Sequence, residues 1–374
     1  MRLVTLTSAM RIAAQHPALL AWYVENRFRA TRAAVERSRR PEFSPGPQYV
    51  TLKPTLRCNL RCGFCRFVAN GDVFGGRDWM DIEDWERVID EVAPYRPYLC
   101  LTGGEPLMYP ELPRLLARIR ACGLRCVLTT NGTLLERRAA ELAAEPPDML
   151  ILSIDGPEAV HDSVRGKAGA FTRALAGIEA LRSKAGRRMP ILVLNTALTE
   201  ATWQSAQDMA AVARRFGAEV LNFQHFWCLT REMVNRHNSH WGDCFPLNYE
   251  RIGGTSTMVE HPDALWELVR RLNDGSLGIP VMVYPELNRE QIHRYYGEPE
   301  AFTHSGTPMC AWTSTDVLPN GDVSPCFELT CGNLLEQSFG EIWNGDAFRA
   351  HRRRLTDAGP YPVCARCCAF FRRD

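Results

Sequence analysis

The chain has 374 residues, 45% hydrophobic and 23% charged, the balance of an ordinary soluble globular protein long enough to bury a sizeable core. A formal net charge of +1 offers no global field to recruit nucleic acid, and no run reaches the roughly 18 apolar residues of a membrane span. Fourteen cysteines with no recognisable export signal argue against a disulfide scaffold and for metal–sulfur chemistry in a reducing cytoplasm.

Residues 1–48 read as an N-terminal helical extension. After Pro17, the residues Leu20, Val24, Phe28 and Val35 recur at helical spacing, with Thr31 interrupting the stripe. Arg27, Arg29, Arg32, Arg37, Arg39 and Arg40 surround it. The expectation is a helix that packs this stripe on the rest of the fold and turns a basic face outward. The same pattern also fits weak contact with an anionic surface such as phospholipid. Pro41, Pro45 and Pro47 end the helix.

An extended run, Tyr49–Thr55, leads into a loop where Cys58, Cys62 and Cys65 form C-x3-C-x2-C. Three thiolates do not complete a tetrahedral zinc site, but they can hold three irons of a [4Fe–4S] cube and leave the fourth iron open. Bare spacing also allows three buried or zinc-bound cysteines. The loop falls at a strand's C-terminal end, where α/β folds bind cofactors.

From residue 49 to 226, short apolar runs alternate with helical patterns. Strands are expected at Tyr49–Thr55, Tyr98–Thr102, Arg125–Thr130, Met149–Ile154, Ile191–Leu198 and Val220–Phe226. Helices are expected near 81–94, 111–122, 134–144, 170–184 and 203–216. Six strands and five helices predict an α/β fold with a parallel sheet and right-handed crossovers, an open, partial barrel. Cys100 and Cys126 lie in apolar runs and read as core.

Polar residues gather at the strand ends. Gly103-Gly104-Glu105-Pro106 follows the second strand, where two glycines allow close backbone approach and a carboxylate can accept from an ammonium. Asn131 ends the third strand; Ser153 and Asp155 end the fourth and suit ribose hydroxyls. Arg165 follows, and Asn195 and Gln224 lie near the ends of the fifth and sixth. Each also reads as a turn or cap residue.

Residues 227–302 lose the rhythm, with one helix expected near 263–273, and read as an irregular segment covering the site. His225, His237, His240, Glu232 and Asp243 are its acid–base candidates. Residues 303–374 bring the cysteines back, and Pro319-Asn-Gly-Asp322 reads as a hairpin turn. Cys310, Cys326, Cys364 and Cys367 could bind zinc or an all-cysteine cluster, with Cys331 as a substitute ligand and Cys368 as a bystander.

The cysteine loop with Phe64 before its third thiol, the Gly103–Pro106 run, and the order of Ser153, Asp155 and Arg165 resemble the radical S-adenosylmethionine (SAM) superfamily. Gly321–Cys326, Gly332-Asn-Leu334 and Glu341-Ile-Trp343 resemble its auxiliary-cluster domain, SPASM or the shorter twitch. The resemblance implies a (βα)6 partial TIM-like barrel over about 49–226. It implies a SAM-binding [4Fe–4S] cluster on Cys58, Cys62 and Cys65 and one auxiliary [4Fe–4S] cluster on Cys310, Cys326, Cys364 and Cys367. Gly103–Pro106 would hold the SAM amino group, Ser153 and Asp155 its ribose and Arg165 its carboxylate; Phe64, Asn131, Asn195 and Gln224 complete the cofactor-binding set. The implied chemistry is reductive cleavage of SAM to a 5′-deoxyadenosyl radical, hydrogen abstraction and an oxidation or bond formation, fed by an external flavodoxin- or ferredoxin-type donor. A small-molecule substrate is expected; peptide maturation and lipid modification are the alternatives, and a non-catalytic zinc or Fe–S binding protein is the rival of another class.

Overall fold

The computed structural model describes residues 17–65, 80–227, 229–252, 258–298, 300–326 and 329–367. Cys228 and Cys368 lie outside them. Helix α1 (Pro17–Arg39) precedes strand β1 (Tyr49–Thr55). There follow α2 (Ile82–Val92), β2 (Tyr98–Gly103), α3 (Leu112–Ala121), β3 (Arg125–Thr130), α4 (Leu135–Ala144) and β4 (Met149–Ser153). Then come α5 (Glu158–Arg165), α6 (Ala170–Ala185), β5 (Ile191–Leu198), α7 (Met209–Phe216) and β6 (Val220–His225). The six expected strands stand where the apolar runs put them.

One sheet runs β7-β6-β5-β4-β3-β2-β1-β8-β9, where β7 is Val281–Tyr284, β8 Ser314–Val317 and β9 Val323–Ser324. Every neighbouring pair from β7 to β8 is parallel; β8 and β9 form an antiparallel hairpin whose turn holds the expected Pro319–Asp322. Gly321 there has φ +88, a conformation that favours glycine.

The register sorts the side chains. Val50, Leu52, Leu99, Leu101, Leu128, Leu150, Leu152, Leu194, Leu221 and Phe223 are fully buried on one face, the one the helices cover. The other, inner face carries Thr51, Lys53, Cys100, Ser153, Asn195, Asn222 and Gln224, linked across the strands by the pairings Thr51–Cys100, Ser153–Asn195 and Asn195–Asn222. Cys126 is core, as expected, but Cys100 lies half-buried on the inner face.

The segment 227–302 is more regular than its sequence pattern predicts. It contains α8 (Arg231–Trp241), α9 (Tyr249–Ile252), α10 (Pro262–Leu272), β7 and α11 (Arg289–Gly297). An Asn288–Gln291 capping box starts α11. Beyond it lie α12 (Cys310–Thr313), α13 (Phe339–Trp343) and α14 (Asp346–Asp357). Arg352 of α14 is fully buried; it donates to Ala311 O at 2.9 Å and Glu42 O at 3.2 Å and lies 4.6 Å over the Trp343 ring. One guanidinium thus joins the C-terminal region to the linker after α1.

Helix α1 forms as expected but is turned the other way. Ala30 and Ala33 are buried, while Val24, Phe28 and Val35 are 44%, 73% and 45% exposed. Small alanines permit close approach, and Arg29 donates to the carbonyls of Pro47, Tyr95 and Arg96. Arg37 lies 5.1 Å over the Trp312 ring. Satisfying those carbonyls fixes the packed face, and the apolar stripe points away from it.

Candidate functional site

The cysteine loop leaves β1 at the C-terminal edge of the sheet and is braced by the turn after β2. Gly104 N–H donates to Thr55 O at 3.0 Å and Glu105 N–H to Arg57 O at 2.8 Å. Gly103 has φ +127, and a Cβ on Gly104 would stand 2.1 Å from Arg57 O. Only glycines let these two backbones meet.

A second brace comes from α5. Gly63 N–H donates to Val164 O at 3.2 Å, and Lys167 Nζ reaches Asn59 O at 3.4 Å. Within the loop, Cys65 N–H donates to Cys62 O at 3.1 Å. Asn131 Nδ2 lies 4.0 Å from Cys58 Sγ, and Arg165 Nη1 lies 3.7 Å from Cys62 Sγ. Two N–H donors therefore face the sulfurs.

Burial pushes the Cys58 thiol up to about 11, and the nearby charges of Glu105, Cys62 and Cys65 push the same way. Cys62 is raised by burial, with Arg165 opposing. Three thiolates so placed repel one another and need a cationic centre to stay ionised together, which an iron–sulfur cluster supplies. The donor set fits that group. Among the described residues no three Cys, His, Asp or Glu side chains have the spacing for a single metal ion.

Glu105 is held by protein donors. Its carboxylate, 1% exposed, accepts from Leu107 N at 3.0 Å, Thr130 Oγ1 at 2.6 Å and Asn131 N at 2.8 Å. It ties the turn after β2 to the end of β3. Pro106 is buried behind it and starts a short 3-10 turn. Asn131 is the hub of this network, donating also to Asn59 Oδ1 at 3.0 Å.

Asp155 and Arg165 form an ion pair at 2.7 Å, both almost fully buried. Asp155 also accepts from Ala197 N at 3.2 Å. The Arg165 guanidinium lies 5.5 Å over the Phe64 ring, and that ring meets Phe226 edge-on at 6.0 Å. Ser153, Asn195 and Gln224 share the inner face, as a site at the strand ends requires. Lys53 and Asp316 meet there too, at 2.5 Å, Asp316 coming from β8 far along the chain. Sequence reasoning missed this pair, and also Asn222, which donates to Asn195. Period-two counting back from Gln224 would have found Asn222; nothing local marks Asp316.

The acid–base candidates are not brought to this face. His225 lies on the opposite face of β6 from Gln224, fully buried, with Nδ1 2.7 Å from Tyr296 Oη. Burial lowers it to about 3. His237 is buried with Nε2 2.7 Å from Phe245 O. Glu232, His240 and Asp243 sit exposed on α8 and the turn after it.

Among the late cysteines, Cys364 is buried and its thiol is raised by that burial and next by Cys310. Burial raises the Tyr361 hydroxyl, with Cys326, Cys364 and Cys244 adding to it. Cys367 N–H donates to Cys364 O at 3.1 Å. Cys310 thus lies near Cys364, and Cys326 and Cys364 both lie near Tyr361. Cys331, raised by burial to about 12, faces the charges of Arg352 and Arg354 instead. Tyr295 Oη donates to Phe226 O at 2.9 Å and to Arg366 O at 3.3 Å. Phe226 therefore touches the cysteine loop and is linked to the late-cysteine segment through Tyr295.

The sequence matches two family models, the radical SAM superfamily over residues 52–212 and the SPASM iron–sulfur cluster-binding domain over 309–368. It is 31% identical over 336 residues to the AdoMet-dependent heme synthase of Methanosarcina barkeri, covering 85% of this chain and 88% of that one. The chain belongs to the radical SAM superfamily. A pre-heme d1 synthase of Dinoroseobacter shibae is 26% identical over 94% of this chain and 84% of its own. The crystal structure of Streptococcus suis SuiB bound to S-adenosylmethionine shares the fold, with TM-score 0.64 and 16% identity over 96% of this chain and 83% of that one. The radical SAM and SPASM matches carry with them SAM and [4Fe–4S] clusters as cofactors.

Proposed function

We propose that this radical SAM–SPASM enzyme acts on a small-molecule substrate at the inner face of its sheet, with heme-type tetrapyrroles as the first class to try. The observation that carries the reading is the extent of likeness to heme synthases, 31% identity over 85% of the chain, together with a polar inner face beside the cysteine loop. A cluster held by Cys58, Cys62 and Cys65 would supply one-electron reduction of SAM, and with it radical chemistry at an unactivated substrate C–H bond.

The chain's own residues do the rest. Cys58, Cys62 and Cys65 hold the cluster; Asn131 and Arg165 donate toward the Cys58 and Cys62 sulfurs. Gly103 and Gly104 would bring the turn after β2 close to the SAM amino group, with Glu105 fixing that turn. Ser153, Asn195 and Gln224 face the ribose side, and Asp155 keeps Arg165 in place for the SAM carboxylate. Cys310, Cys326, Cys364 and Cys367 would hold an auxiliary cluster, which would supply an acceptor for the second electron that the substrate gives up in a net two-electron oxidation. An external flavodoxin- or ferredoxin-type donor in the cytoplasm would supply the electron used to cleave SAM. No helix among the described residues is long and apolar enough to cross a membrane.

Peptide maturation is the second reading, favoured by 24% identity to the subtilosin biosynthesis protein AlbA of Bacillus subtilis over 84% of this chain. Anaerobic reconstitution separates the possibilities. Iron and sulfide near eight per chain, with 5′-deoxyadenosine formed after reduction, support a two-cluster enzyme. Faster 5′-deoxyadenosine formation on adding iron coproporphyrin III supports the tetrapyrrole reading. Stoichiometric zinc without iron would sink it.

A further inference from the structure

We infer that the end of the barrel opposite the cysteine loop, together with the outer face of α1, docks on an anionic phospholipid bilayer. The first observation is the orientation of α1. Val24, Phe28 and Val35 align along one side of the helix with Thr31, opposite buried Ala30 and Ala33. Phe28 is 73% exposed, and these three are among only four large apolar side chains exposed in the described residues. Exposed Arg27, Arg32 and Arg39 flank the line on both sides.

The second observation is a cavity of about 620 Å³ at the N-terminal ends of β2, β3, β4 and β5. Arg96, Arg120, Arg125 and Arg188 from the barrel and Arg29 from α1 line it, against the carboxylates of Glu25 and Asp148. Asp148 pairs with Arg125 at 2.6 Å, and Glu145 pairs with Arg120 at 3.0 Å. Arg29 is committed to backbone carbonyls. Arg96 and Arg188, both exposed, have no carboxylate partner among the described residues and are the cations available to a ligand. Arg96 is also the only described non-glycine residue with positive φ, at +50, beside the cavity. Such conformations persist where the surroundings enforce them, and here the Arg96 carbonyl is held by Arg29.

Glu25 lies about a quarter-turn and Arg29 about a third of a turn around α1 from the stripe, and both line the cavity, so Glu25 stands between stripe and cavity. An apolar line that can enter the acyl boundary, beside guanidiniums at headgroup level, is what an anionic bilayer complements. A second copy of the chain would set arginines against arginines. A nucleic acid would leave Phe28 and the valines in water.

The test is co-sedimentation of the full-length reconstituted enzyme with vesicles of phosphatidylcholine, alone or mixed with phosphatidylglycerol. Binding is expected to the mixed vesicles only and to weaken as salt rises. Phe28→Asp should cut it by tenfold or more, and Arg96→Ala with Arg188→Ala by roughly fivefold per arginine. Inorganic phosphate at the same charge concentration should not displace the protein; if it does, the cavity is a free-anion site and the docking surface is refuted. Equal binding to both vesicles, unchanged binding by Phe28→Asp, or dimerisation through this face on size exclusion would each overturn the proposal. SAM cleavage by these variants should stay at the wild-type rate, because none of the three residues touches the cysteine loop, so this test stands apart from the proposed function.

Discussion

Gly104→Ala tests the join between the cysteine loop and the turn after β2. A Cβ at this position would stand 2.1 Å from Arg57 O and 2.5 Å from Leu56 O, and the three atoms nearest to it are all backbone. To reach tolerable contact the two segments must separate by about 1 Å, and neither can do so by rotating a side chain. Separation breaks the Gly104–Thr55 and Glu105–Arg57 hydrogen bonds, each worth about 1 kcal/mol and more if buried groups are orphaned. The larger effect falls on activity, because misplacing a reacting centre by about 1 Å costs on the order of 100-fold. The assay is 5′-deoxyadenosine release by anaerobic reconstituted enzyme after chemical reduction, normalised to iron content. Gly104→Ala should retain its iron, since Cys58, Cys62 and Cys65 are untouched, yet fall to about a hundredth of the wild-type rate. Gly297→Ala, where nothing lies within 4 Å of the added atom, is the control and should be silent. Wild-type 5′-deoxyadenosine formation by Gly104→Ala would refute the close-approach argument.

Three other outcomes follow from the same structure. Arg165→Met leaves Asp155, 1% exposed, without its partner and should cost about 3–5 kcal/mol in urea unfolding. The Asp155→Asn/Arg165→Met double variant should lose less than the two single variants added together, and strict additivity would refute the pairing. Cys58→Ala should abolish SAM cleavage, whereas Cys364→Ala should leave cleavage without product; equal loss in both would refute separate roles for the two cysteine groups. His225 and His351 are lowered to about 3 chiefly by burial, and Arg352 and Arg354 add to the effect at His351. Both stay neutral in the fold while the unfolded chain takes up protons below about pH 6.5. Their stability contribution is thus full above that pH and drains away toward pH 3. Each should cost about 2 kcal/mol between pH 7 and 5, and His225→Asn should flatten the urea-midpoint slope by that amount relative to wild type. An unchanged slope would count against a neutral buried His225.

Much of the barrel was legible because parallel strands buried under helices read as continuous apolar runs. The strands from Tyr49 to His225 needed nothing else. β7 and β8 escaped notice because each is four residues long, and β8, Ser-Thr-Asp-Val, owes its state to β1 more than 250 positions earlier. The face of α1 was misjudged for a different reason. Apolar periodicity assumes that burial decides orientation, and here the carbonyls of Pro47, Tyr95 and Arg96 decide it through Arg29. His225 could have been excluded from the sequence. Gln224 and His225 are consecutive in one strand and cannot both face inward. Glu105 could not have been read this way, since its partners Thr130 and Asn131 belong to the next strand end.

A chain of contacts links the cysteine loop to the late-cysteine segment. Phe226 meets Phe64 of the loop through its ring, and its carbonyl accepts from Tyr295, whose hydroxyl also reaches Arg366 O between Cys364 and Cys367. Arg366 is fully buried and lies 4.4 Å over the Tyr295 ring. Side chains in a packed interior move together or not at all, so a displacement of the Cys364–Cys367 turn is passed to Phe226 and from there to Phe64. On the inner face, Lys53 of β1 and Asp316 of β8 make a second tie between the same two regions. Two independent ties give a fixed separation between thiol groups 245 or more positions apart in sequence. A fixed separation between the two groups suits the passage of an electron to a second acceptor, the role proposed above for the late cysteines.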